Sequence, residues 1–232
     1  MYSAVDPETR ARGDKEPNPE LAWTRLGIQP EAVQFLSDLY GPYPFESVGA
    51  IVDWAPNVFY SLESQTKPNY WRIPSEETIV HEIAHQWFGD AVVLERWPDM
   101  WLNEGFGTWS EWIWTERHQG KTAHQQFLDL YNIAEGTAAF QDLWFPAPNG
   151  LHDASELSHT PVYDRGAMTL QALREKVGDT VFFQTMRDWY AENRYSNVVT
   201  ADFIALAERD SGQQLDEFFD AWLFQEGRPE SW

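Results

Sequence analysis

His81, Glu82 and His85 form the string HEIAH, and Glu104 follows nineteen residues after the second histidine, inside WLNEG. Side chains four residues apart on a helix lie one above the other, so two imidazoles at this spacing reach a single ion from adjacent turns. Glu104 supplies a third ligand, and a catalytic zinc ion takes three protein ligands while keeping one position open. Glu82 stands beside the ion, not on it. There a carboxylate can take the proton of a water whose pKa zinc lowers from about 15.7 to about 7. The pattern reads as a three-point zinc site carrying its own base.

Chance also produces HExxH strings, and the flanking residues argue against chance here. Ser75 is suited to an N-cap, Glu76 and Glu77 to the positively poled first turn, and Gly89 to a terminator. Ile79, Ile83, Trp87 and Phe88 supply apolar contacts, so a helix is predicted over 75–89. Arg96-Trp97-Pro98-Asp99 reads as a turn, and Asn103 or a neighbour starts a second helix ending at Gly120, with Glu104 near its start.

The elements around this pair follow from pattern. Residues 1–20 are charged and proline-bearing and read as a loose lead-in, part of a polar lead-in over 1–30; the RGD at Arg12 to Asp14 is read as accidental. Strands are predicted over 47–53 and 57–63, parted by Ala55-Pro56-Asn57, with Pro68, Asn69 and Pro74 in a connecting loop. Further helices are predicted at about 121–136, 161–177, 179–193, 201–210 and 214–226, and a long loop over 145–159 borders the cleft. Strands followed by helices give an α+β class, with a sheet lobe over 31–74, a helical lobe over 75–232 and the zinc site between them.

Composition narrows the partners. With 37 acidic and 16 basic residues the net charge is −21, which argues against nucleic acid and anionic membranes. No apolar run is long enough to span a bilayer, and the first thirty residues are too polar for a signal peptide, so no compartment is assigned. The absence of cysteine removes thiol catalysis and Cys-ligated zinc. His118, His124, His152 and His159 lack ligand spacing to the cluster and are read as surface or loop residues.

HEIAHQWFGD, WLNEGFGTWSEW and VYDRGA, in this order, resemble the catalytic domain of the aminopeptidase N family of zinc peptidases, the gluzincins. The resemblance runs from about Leu36 to Pro229 and implies a thermolysin-like fold. It implies zinc held by His81, His85 and Glu104, with Glu82 as general base. It also gives Tyr163 the task of stabilising the tetrahedral oxyanion, with Arg165 where the family carries lysine. In the segment Tyr60 to Ser64 only Glu63 is retained from the family's amine-binding motif, and the resemblance gives it the substrate's free ammonium. Glu111, two turns beyond Glu104 on one helix face, could accept a hydrogen bond from a ligand imidazole. The competing readings are an ordinary helix-start aromatic for Tyr163, a solvated strand-end carboxylate for Glu63 and a surface glutamate for Glu111.

The expectation is a zinc aminopeptidase acting on peptides with a free N-terminus. A thermolysin-like endopeptidase is one alternative. Another is an isolated catalytic domain that binds zinc and peptide but is inactive. The family's N-terminal β-sandwich and large C-terminal helical domain find no room in this chain, so contacts with further domains of a longer parent are expected.

Overall fold

The computed structural model describes residues 1–151 and 153–231. It is α+β, as the sequence predicts. Strand β1 (Tyr2–Val5) is followed by helices α1 (Pro19–Leu26) and α2 (Gln29–Tyr40), then β2 (Gly49–Val52) and β3 (Asn69–Tyr70). The three strands form a parallel sheet in the order β1-β2-β3, with Tyr2 opposite Gly49 and Ile51 opposite Asn69. A parallel pair needs a crossover, and α1 and α2 supply the one between β1 and β2. The loose lead-in is therefore corrected: residues 2–5 pair with a strand more than forty residues away, a long-range contact that local composition does not report.

The predicted strand over 57–63 is also corrected. Only Leu62 forms a bridge there, exchanging both backbone hydrogen bonds with Asn69 at 2.9 and 2.7 Å. The residues before it have the aromatic, β-branched composition of a strand but nothing to pair with, and Phe59 is 77% exposed. Asn69, placed by the sequence in a loop, instead opens β3.

Helix α3 (Glu76–Ala84) carries the HEIAH string. Its N-cap is Ser75, whose hydroxyl accepts from the Thr78 N–H at 3.1 Å. The helix closes at His85, before the predicted Gly89 stop, and the chain turns through Trp87 and Phe88 into β4 (Val92–Leu94). A single-turn helix at Trp97–Asp99 leads into α4 (Trp101–His118). Then come α5 (Ala123–Tyr131), α6 (Ala138–Trp144), a π-helical turn at Pro161–Arg165, α7 (Gly166–Val177) and α8 (Asp179–Asn193). Strand β5 (Ser196–Val198) pairs with β4, and α9 (Thr200–Ser211), α10 (Asp216–Phe219) and a second π-helical turn at Asp220–Phe224 end the chain. The predicted helices 161–177 and 214–226 are thus each interrupted by a wider turn.

The core is built of rings. Trp87, Trp101, Trp109, Trp114, Trp144, Trp189 and Trp222 are fully buried, and Phe88 packs tilted against Phe106 at 4.5 Å between centroids, joining the end of α3 to α4. Large rings bury much area for few rotatable bonds, which suits a helical floor that must hold a rigid site. Buried Asp99 pins the start of α4. It accepts from the Thr200 N–H at 3.1 Å, the Thr200 hydroxyl at 2.7 Å and Asn149 Nδ2 at 3.1 Å.

Candidate metal centre

Two helices bring three donors together. His81 and His85 project from successive turns of α3, and Glu104 projects from the first turns of α4. Glu104 Oε2 lies 3.1 Å from His81 Nε2 and 3.3 Å from His85 Nε2, and one ligand atom from each of the three falls within 4.8 Å of the others. Among the described residues this is the one group of three or more such side chains that could hold a metal ion. His152 lies outside the described residues. His118 stacks on Trp114 and His124 pairs with Glu175, both away from the centre.

The outer ring nitrogens fix how the imidazoles face. His81 Nδ1 lies 2.6 Å from Glu111 Oε1, and His85 Nδ1 lies 3.0 Å from the Phe88 carbonyl. Both partners only accept, so each ring donates from Nδ1 and presents Nε2 to Glu104, as a protonated donor in the protein alone and as the nitrogen left for an ion. Glu111 is therefore in contact with the imidazole of a candidate ligand, His81, where it fixes tautomer and orientation.

The electrostatics describe a cation site. Burial alone would depress His81, but hydrogen bonds to Glu104 and Glu111 outweigh it and hold its pKa well above the ordinary imidazole value. For His85, burial is likewise overcome, by the Glu104 carboxylate, and the pKa rises to about 9. Glu104 resists burial through the charge of His85 and bonds to both imidazoles, and stays well below the carboxylate range. In the protein alone, protons supply the positive charge that this arrangement favours. A divalent ion accepting two nitrogens and one oxygen can take their place, and the donor set suits zinc.

Glu82 lines the same cleft as the three donors and is not one of them. Burial is the largest influence on it and raises its pKa to about 7, against the opposing charges of His81 and His85. Tyr163, from the first π-helical turn, lies nearly parallel to the His81 ring at 6.0 Å between centroids. Burial, then Glu104, pushes its phenol well above the usual tyrosine range, so it remains a hydrogen-bond donor. Glu63 lines the same cleft, which has a volume of about 640 Å³. Arg165 does not face the cleft. It is fully buried and donates to the carbonyls of Trp144 and Ala221, tying the Tyr163 turn to the C-terminal segment.

Three features escaped the sequence reading. Gly107 leaves room for His81, since a Cβ there would stand 2.8 Å from His81 Cε1 and 2.9 Å from Nε2. Gly105 and Gly166 let α4 and α7 touch, because a Cβ on either would fall within 3.0 Å of the other's backbone. This contact seats Tyr163, just upstream of α7, over the centre. The third is buried Gln86, which donates to the Glu63 carbonyl at 3.0 Å and accepts from the Thr66 N–H at 2.7 Å. The glycines of WLNEGFG and DRGA were a readable signal for close helix packing; nothing distinguished Gln86.

A family model described as the peptidase family M1 domain matches residues 44–222. The M1 zinc metallopeptidase of Deinococcus radiodurans is similar in structure, with a TM-score of 0.78 at 30% identity over 98% of this chain and 48% of that one. Aminopeptidase M1-C of Oryza sativa subsp. japonica is 29% identical over 88% of this chain and 25% of its own length. Aminopeptidase N of Lactococcus lactis subsp. lactis is 28% identical, with corresponding shares of 88% and 26%. The chain spans about a quarter of these curated relatives and about half of the Deinococcus chain. Among the described residues no helix is long and apolar enough to cross a membrane. With the family match running over the whole stretch that holds Glu63, the HEIAH helix, Glu104 and Tyr163, the chain belongs to peptidase family M1.

Proposed function

We propose that this chain carries the chemistry of a zinc aminopeptidase, hydrolysing the N-terminal residue from peptides. One observation carries the reading: Glu63, Glu82 and Tyr163 line a single cleft with the three metal donors. The names of the relatives support the same activity. His81, His85 and Glu104 would hold the ion. When bound, zinc polarises the scissile carbonyl and acidifies water at the site.

The remaining work falls to side chains. Glu82, near neutral pKa in its buried position, takes the proton from water and returns it to the leaving amine. Tyr163 keeps its proton and donates a hydrogen bond to the developing oxyanion, in surroundings where such a bond counts for more than in water. Glu63 accepts the substrate's free ammonium, which sets the register so that the first peptide bond meets Glu82. Glu111 holds the His81 ring in place. The chain's short span relative to its relatives supports contacts with further domains of a longer parent.

The test is Glu82→Gln. This variant is expected to keep stoichiometric zinc, measured by atomic absorption, and to lose turnover by at least about a thousandfold. Undiminished hydrolysis would exclude the mechanism. Hydrolysis of N-acetylated peptides at the rate of free-amine peptides would instead favour an endopeptidase.

A further inference from the structure

The cleft carries opposite charge at its two ends. Toward the C-terminal end of α3, Gln86 donates to the Glu63 backbone carbonyl, and Glu63 lines the cleft together with His85. At the N-terminal end the lining is Arg12, Arg25 and Arg72, beside Pro74, Ser75 and Thr78. Arg25 is held by a hydrogen bond from Nη1 to the Pro74 carbonyl at 2.7 Å. The Arg72 guanidinium lies 4.0 Å over the Trp71 ring.

None of the three is spent on an ion pair among the described residues, although the chain has 37 acidic side chains to offer. The acidic neighbour Glu77 feels the Arg25 charge, but its Oε1 accepts from Gln119 at 2.8 Å. Glu76, on the first turn of α3, is exposed. Burial, and then the charge of Arg12, depresses the Arg72 guanidinium, so two of the cations lie close enough to repel each other. An anion between them would relieve that repulsion, and a guanidinium fork matches a carboxylate in shape as well as charge.

We propose that this arginine end is a carboxylate subsite for the downstream part of the substrate. It would take either the C-terminal carboxylate of a short peptide or an acidic side chain at the same distance from the scissile bond. The inference rests on the aminopeptidase reading for the direction of the peptide: ammonium at Glu63, chain running back along α3 past Glu82. Length agrees. Ser75 lies six residues before His81, about 9 Å along the helix axis. Extended peptide covers about 3.4 Å per residue, so the arginines meet a group roughly two or three residues beyond the cleaved bond. The peptides selected are tri- and tetrapeptides, or longer ones with an acidic residue at the third or fourth position, with charge complementary to the cleft at both ends.

Binding tests this without turnover. With zinc-loaded Glu82→Gln protein, calorimetry would compare Ala-Ala-Ala with its C-terminal amide, with Ala-Ala-Asp-amide and with N-acetyl-Ala-Ala-Ala. We expect the free acid to bind about tenfold tighter than the amide, an advantage that shrinks as salt rises from about 50 to about 300 mM. Recovery of affinity by Ala-Ala-Asp-amide would assign the subsite to acidic side chains as well; failure to recover would restrict it to the C-terminus. In the background of that variant, the double change Arg12→Gln with Arg72→Gln should bring the acid-to-amide ratio to about one. The comparison in the parent protein stands even if the double variant does not fold. Equal affinities for acid and amide, or no binding of either, would overturn the proposal. Loss of affinity on N-acetylation but not on amidation sinks the subsite and spares the aminopeptidase reading; the reverse pattern does the opposite.

Discussion

The floor of the cleft and its outer wall are built differently. The floor is α3, α4 and α7, closed by buried rings and by glycines that bring backbones into contact. The wall, from residue 53 to residue 68, holds no strand, touches β3 through the isolated Leu62–Asn69 bridge, and leaves Phe59 and Tyr60 77% and 67% exposed. A metal centre needs its donors placed to within about 0.5 Å, which packed helices supply more precisely than loops. On the proposed reading, substrate recognition tolerates a loop, provided that a few hydrogen bonds such as those of Gln86 to the Glu63 carbonyl and the Thr66 N–H hold the segment in place.

If this division is right, changes in the floor should strike metal binding and changes in the wall should strike substrate preference. The largest effect belongs to His85→Ala. Losing one of three ligands should leave zinc well below one per chain by atomic absorption and reduce turnover more than about a thousandfold. Retained stoichiometric zinc would mean that the ligand set is wrong. Next is Gly107→Ala, whose methyl group displaces the His81 ring. Zinc affinity should fall about 10- to 100-fold by chelator competition, as for other changes around a ligand's outer contacts. Wild-type affinity would show that the floor has more slack than its packing implies.

Glu63→Gln probes the wall. Losing a charged hydrogen-bond partner should lower kcat/KM for free-amine peptides about 10- to 100-fold and leave zinc content alone. A fall in zinc content would join wall to floor and break the comparison. The smallest effect is on stability. Burial, then Glu111 and Asp142, raises the Asp164 pKa to about 6 from its usual 3.8. The folded state therefore binds more protons than the unfolded chain between these values, and stability falls as pH rises through that window. Asp164→Asn should stabilise the protein by about 1–3 kcal/mol at pH 8 and hardly at all at pH 3.5, measured by urea unfolding at both. Equal effects at both values would assign the change to packing instead.

Legibility follows the same boundary. The spacing of His81, Glu82 and His85 is a statement about one helix, and helix pitch turns it into geometry without further information. Ser75 as N-cap was readable for the same local reason. Strand β1 was not, because a strand of four residues gains its stability from a partner far along the chain. The segment before Leu62 failed in the opposite direction, having strand composition without a strand to pair with. The two π-helical turns carry no pattern that distinguishes them from ordinary helix.

By itself, then, the order of residues determined which side chains are spaced to hold an ion, which carboxylate is proposed as the base beside them, and that helices would present them. Only the folded chain decided that Glu104 reaches both imidazoles, that Glu111 meets His81, and that Glu63 and three arginines line one cleft. The physical reason is range: ligand spacing on one helix is a local property, whereas a cleft is the meeting of segments joined only through the core.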